Sequence, residues 1–289
     1  MIKFTLQWLG IWKQMNNFIS RALKHMKKIL FPTDLTEKPK KALDYAQYLS
    51  INTGSELILF HASMDREEHE KSIQELKTLT TELEQSEVRG AKTIRYDYIS
   101  QQGLPVDQLV ETMEKSKSKM LVMATSGANR DSFQGLYLKS NTSAVLEKLQ
   151  KPVLFFPIDS KVDKISKALV CVDVMKYSKE VILQFYEFSK LFNAKIEFVY
   201  SHTSDRIEIR EAIERFKYFL SRELPLATLV VKEAITLEEA VDELVKSDGI
   251  DLLVMTKYKK TFWEKWFVKS ATQSMAYTAS LPVLVFSAD

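Results

Sequence analysis

The chain carries one pattern twice, in the same order. Ala168-Leu169-Val170-Cys171-Val172-Asp173 follows Ile29-Leu30-Phe31-Pro32-Thr33-Asp34, and Lys195-Ile196-Glu197-Phe198-Val199-Tyr200 follows the segment from Glu56 to His61, both at a spacing of 139 residues. Further on, Leu253-Val254-Met255 answers Leu121-Val122-Met123. Val268 to Thr272 and Pro282-Val283-Leu284 answer Leu138 to Thr142 and Pro152-Val153-Leu154 at a spacing of 130. A repetition that preserves the order of strands and helices points to duplication, so both copies must fold on one plan. With 289 residues, 45% of them hydrophobic, the chain can fill two cores.

Within the first copy, strand and helix patterns alternate. Ile29 to Phe31 reads as a strand, Glu37 to Leu49 as a helix with Ala42, Leu43, Ala46 and Leu49 on one face, and Leu57 to Phe60 as a strand. Residues 66 to 86 make a charged helix, Thr93 to Ser100 an alternating strand and Pro105 to Lys117 a helix. Met120 to Ala124 and Val153 to Phe156 are continuous apolar runs, as expected of strands buried on both faces. Such alternation implies parallel sheets with right-handed crossovers. The third strand, with Ile94, Tyr96 and Tyr98 alternating with polar residues, belongs near an edge. The expected architecture is α/β: two tandem doubly wound five-stranded parallel sheets with helices on both faces. The units are 27–157 and 167–289, joined by a polar linker at 158–166 and preceded by a helical extension at 1–26. The edges Val153–Phe156 and Val283–Phe286 are flat and apolar, so they pair with each other or with another copy of the chain.

Net charge has to be read by region. Residues 1–27 hold Lys3, Lys13, Arg21, Lys24 and Lys27 and no acid, which leaves 36 bases against 38 acids in the rest. That body has no field for a polyanion, which disfavours nucleic acid. In the leader, Phe4, Trp8, Ile11, Trp12, Met15, Phe18, Ile19, Ala22 and Leu23 recur at helical steps opposite the basic side chains. Residues 1–25 therefore either touch an anionic membrane surface or dock on protein, unless translation starts at Met26 rather than Met1. No run is long enough to span a bilayer, and a single cysteine, Cys171, excludes an internal disulfide; a cytoplasmic protein is expected.

The stretch from Lys119 to Pro157 is the most suggestive of a ligand. It runs strand, polar loop, helix and strand, with Ser140, Asn141 and Thr142 available to cap the helix that carries Ala144, Val145, Leu146 and Leu149. That order brings free backbone N–H groups and a positive dipole end to a place where a phosphate can sit. Asp34, at the end of the first strand, either faces the same crevice or caps the helix from Glu37.

These features together resemble the universal stress protein family, in a tandem form, within the adenine-nucleotide α-hydrolase-like group. The resemblance covers residues 27 to 288. It rests on Lys27 to Asp34, His61 closing the second strand, Gly103 and Pro105 before the third helix, Leu121 to Gly127, and Ser140-Asn141-Thr142 leading to Lys151-Pro152-Val153-Leu154. It implies that the two units pair internally as a pseudo-dimer. It also implies an adenine nucleotide, ATP or AMP, with Pro32, Thr33, Asp34 and Ala62 near the adenosine. Gly127, Ser140 and Asn141 would then lie near the phosphates, with Met123, Ala124 and Lys139 as further candidate binding residues. Nucleotide-binding members carry G-x2-G-x9-G-S/T; here Ala124 and Lys139 replace the first and third glycines, and the loop is about two residues longer. Lys139 places a Cβ where hydrogen is expected, and a cation that can meet a phosphate as a point charge.

In the second copy the corresponding loop, Thr256 to Phe267, has no glycine, so that unit is expected to be a degenerate structural partner although Asp173 and Ser270 persist. Its Lys, Trp and Phe residues can fill space, face a partner or stack single-stranded nucleic acid. His25, His61, His69 and His202 are scattered without metal-ligand spacing, and no nucleophile elbow, P-loop or catalytic cysteine is present. The resemblance implies a regulatory stress-response binding protein with a nucleotide site in the first unit alone, and no constellation for turnover is seen. Two alternatives remain: an interaction module that binds a protein partner and no nucleotide, and a slow ATP hydrolase using the same crevice.

Overall fold

The computed structural model describes residues 27–36, 39–86, 93–125, 141–204, 206–233, 235–256 and 280–287. Five strands belong to the first half: β1 (Lys28–Pro32), β2 (Glu56–Ser63), β3 (Tyr96–Gln102), β4 (Met120–Thr125) and β5 (Val153–Pro157). The second half supplies β6 (Lys167–Cys171), β7 (Lys195–His202), β8 (Thr228–Glu233), β9 (Leu252–Thr256) and β10 (Val283–Phe286). The helices are α1 (Lys40–Thr53), α2 (Arg66–Ser86), α3 (Pro105–Lys115), α4 (Asn141–Lys148), α5 (Lys179–Lys190), α6 (Ile207–Glu223) and α7 (Leu237–Ser247).

The two expected five-stranded sheets fuse into one of ten strands, ordered β3-β2-β1-β4-β5-β10-β9-β6-β7-β8. Every pairing within a half is parallel, and the seam between β5 and β10 is antiparallel. The internal pairing implied by the resemblance is what forms. Because successive side chains on a strand point to opposite faces, each apolar run serves two cores. Ile29, Phe31, Leu154, Phe156, Leu284 and Phe286 enter one layer, under Tyr45 of α1 and Phe185 of α5; Leu30, Val153, Phe155, Val283 and Val285 enter the other, under Met113 of α3 and Leu149.

Several element ends move from their sequence-based positions. Helix α1 begins at Lys40 rather than Glu37, behind Pro39 and without a side-chain cap, and it ends at Gly54 with φ 67°. Proline suits the entry to a helix because no partner is lost with its missing N–H, and glycine takes the left-handed exit without a Cβ clash. The reading of Asp34 as a cap is therefore overturned. Strand β2 runs on to Ser63, so His61 lies inside it instead of closing it, and β3 covers Tyr96–Gln102 rather than Thr93–Ser100. Helix α3 stops at Lys115, before Lys117 turns to φ 58°. Asn141 and Thr142 belong to α4 rather than preceding it, and Ser140 lies outside the described residues.

The linker is pinned at both ends. The Tyr48 hydroxyl of α1 accepts the Ile165 N–H at 3.1 Å, Lys41 Nζ donates to the Ser160 carbonyl at 3.2 Å, and Asp251 Oδ2 accepts the N–H groups of Ser166 and Lys167 at 2.9 Å. Rings continue the contact: Phe156 lies 4.5 Å from Tyr45, Tyr45 5.5 Å from Tyr48, and Tyr48 5.4 Å from Phe192 beyond α5.

Candidate functional site

Strand order reverses beside β1. Its neighbours are β2 on one side and β4 on the other, so crossovers leave in opposite directions and open a crevice at the carboxyl ends of β1 and β4. The register aligns Ile29 with Met120 and Leu30 with Leu121.

The chain leaving β1 is held tightly. Thr33 donates its N–H to the Phe60 carbonyl at 2.9 Å, and its Oγ1 accepts the Leu35 N–H at 3.0 Å. Asp34 Oδ1 accepts the Thr36 N–H at 3.1 Å and the Thr36 hydroxyl at 2.7 Å. Asp34 Oδ2 makes no hydrogen bond among the described residues, and the side chain is half-buried. Leu35 sits at φ 61°, a left-handed conformation that costs a residue with a Cβ of order 1 kcal/mol and persists where neighbouring bonds impose it. On β2, buried His61 brings Nδ1 to 2.9 Å from the Thr33 carbonyl oxygen. A carbonyl only accepts, so Nδ1 carries the proton in this pairing.

The other sequence-derived candidates divide into three groups. Pro32, Thr33, Ala62, Met123 and Ala124 are buried at or just inside the strand ends around Asp34. Met123 and Ala62 pack into the layer under α3 and α4, and Ala124 into the opposite one, so these three act through shape. Asn141 is placed by its backbone in the first turn of α4, whose N-terminus lies at the carboxyl end of the sheet because α4 joins parallel β4 to β5. Gly127, Lys139 and Ser140 lie outside the described residues. His61, expected from sequence to close the second strand, is the addition: its signal is a polar ring inside an apolar run, next to the end of a neighbouring strand.

The second half keeps the turn and changes its surroundings. Asp173 Oδ1 accepts the Met175 N–H at 3.0 Å, as Asp34 does two residues on. Val172 replaces Thr33, Cys171 replaces Pro32 and Tyr200 replaces His61. Tyr200 stacks on His202 with ring centroids 5.9 Å apart. Burial raises the Tyr200 hydroxyl pKa and the Asp173 charge raises it further, against the pull of Arg206. Burial pushes the Cys171 thiol up, with the Glu238 carboxylate adding to it, so it is held as an inert thiol. The loop from 257 to 267 lies outside the described residues. No group of three or more His, Cys, Asp or Glu able to hold a metal occurs among the described residues, and no described helix is long and apolar enough to cross a membrane.

The universal stress protein family model matches residues 25–157. A universal stress protein of Methanocaldococcus jannaschii is 26% identical over 152 residues, 44% of this chain and 93% of the relative. Two solved structures share the fold over the whole arrangement. A universal stress protein from Archaeoglobus fulgidus aligns with a TM-score of 0.68 at 17% identity, over 91% of this chain and 99% of that one. A Pseudomonas aeruginosa PAO1 protein of unknown function aligns with a TM-score of 0.65 at 15% identity, over 93% and 95%. Residues 25–157 of the chain are a domain of the universal stress protein family, and the second half repeats that domain's architecture.

Proposed function

We propose that the protein is a regulatory stress-response binding module that holds one adenine nucleotide, in the crevice of its first half. The observation that carries this reading is a half-buried carboxylate at the β1/β4 reversal, Asp34, whose Oδ2 makes no hydrogen bond among the described residues, with the N-terminus of α4 at the same end of the sheet. A carboxylate beside a strand end can accept from ribose hydroxyls, and a helix N-terminus favours the phosphates. The second half retains Asp173 but lacks the Thr33 hydroxyl and the His61 ring, in keeping with a structural role. Among the described residues, no nucleophile and base are arranged around Asp34, and binding is the activity proposed.

The test is to denature the purified full chain and identify any released nucleotide by mass spectrometry, then titrate stripped protein with ATP, ADP and AMP. Saturable heat with at least one of them supports the reading. Silence at millimolar ligand refutes it in favour of a protein-interaction module.

A further inference from the structure

We propose that His61 is a positioning residue, holding the Thr33–Asp34 peptide from the neighbouring strand so that Asp34 is presented to the ligand in a fixed orientation. The inference deepens the nucleotide reading of the same crevice and rests on it. Five contacts set the chain from Thr33 to Thr36, and four are local or continue the sheet: the Thr33 N–H to Phe60, the Leu35 N–H to Thr33 Oγ1, and the Thr36 N–H and hydroxyl to Asp34 Oδ1. The fifth, His61 Nδ1 to the Thr33 carbonyl at 2.9 Å, is a side chain on β2 gripping the peptide plane that leads into Asp34. Rotation of that plane would swing the Asp34 side chain and relax Leu35 from its φ of 61°. Burial of the imidazole keeps water from competing for the carbonyl. The second half supplies a contrast within one molecule. Tyr200 occupies the His61 position, no side-chain hydrogen bond reaches Val172 among the described residues, and Val174 takes the place of Leu35 without a positive φ.

His61→Phe keeps a ring and removes the donor, whereas His61→Asn keeps an N–H donor at the same remove from the backbone. Amide hydrogen exchange on ligand-free protein is the first readout. His61→Phe should speed exchange at Leu35 and Thr36 about tenfold while β1 and β2 keep their protection, and His61→Asn should restore both amides. In titrations with the nucleotide the unaltered chain binds best, affinity should fall about tenfold in His61→Phe and stay within about twofold in His61→Asn. Unchanged exchange at Leu35 and Thr36 in His61→Phe overturns the proposal. So does loss of protection spread evenly over β1 and β2, or a His61→Asn variant that behaves like His61→Phe. If the unaltered chain takes no nucleotide, the ligand reading is what fails; exchange is read without ligand, so the two failures stay distinct.

Discussion

Leu154 pairs with Leu284 across the antiparallel seam, and the two residues are counterparts in the repeat, 130 positions apart. On either side, Val153 meets Val285 and Phe155 meets Val283, so the pairing is self-complementary about the leucines. This is the contact rule of a two-fold dimer, met inside one chain. It explains why both edges are continuous apolar runs: each is an interior strand of the ten-stranded sheet, covered above and below by helices.

Leu284 is fully buried in the layer that both halves share, so Leu284→Ala should lower the unfolding free energy by about 2–5 kcal/mol. Chemical denaturation followed by near-UV and far-UV circular dichroism measures it. A loss below about 0.5 kcal/mol would show that the seam contributes little.

Tyr48 joins the halves by a different route, through its hydroxyl on the Ile165 N–H and its ring against Phe192. Tyr48→Phe keeps the ring and leaves a part-buried N–H without its acceptor, a change worth about 1–3 kcal/mol. Denaturant midpoints of the two proteins check it, and Tyr48→Leu should cost more because the ring contact also goes.

Helix α7 offers a pH test. Thr236 and Glu239 form a capping box: Glu239 Oε2 accepts the Thr236 N–H at 2.8 Å and its hydroxyl at 2.9 Å, and Thr236 Oγ1 accepts the Glu239 N–H at 3.3 Å. The Thr236 N–H, then its hydroxyl, lower the Glu239 pKa below the ordinary glutamate range. A carboxylate depressed in the folded state stabilises it above its unfolded pKa, and that stability is lost as pH falls through the folded one. The stability difference between the unaltered protein and Glu239→Gln should therefore be constant near neutral pH and shrink on acidification, starting at the ordinary glutamate range. Urea unfolding at a series of pH values reads it, and a difference that grows with acid contradicts the assignment.

What could be read from the sequence follows from which forces act locally. Apolar runs such as Leu121–Val122–Met123 and Val153–Phe156 have to be interior strands whatever surrounds them, and duplicated order then dictates two like halves. The start of α1 was hidden because the chain from Thr33 to Thr36 is shaped by contacts from Phe60 and His61, far away in sequence. With those residues held in a turn, the helix begins only behind Pro39. The role of His61 was hidden for the same reason: the register of β2 against β1 decides which carbonyl its ring can reach. Asp34, by contrast, is legible because it closes an apolar strand run, where a doubly wound sheet opens its crevice, and because it stands where the resemblance implies the adenosine.

The proposed nucleotide reading requires one ligand site per chain, in the first half. Calorimetric titration of the stripped full-length protein, with Asp34→Ala and Asp173→Ala alongside, tests it most directly. One adenine nucleotide per chain is expected, with binding lost in Asp34→Ala and retained in Asp173→Ala; two sites per chain, or binding that vanishes with Asp173 and survives without Asp34, would contradict a single site in the first half.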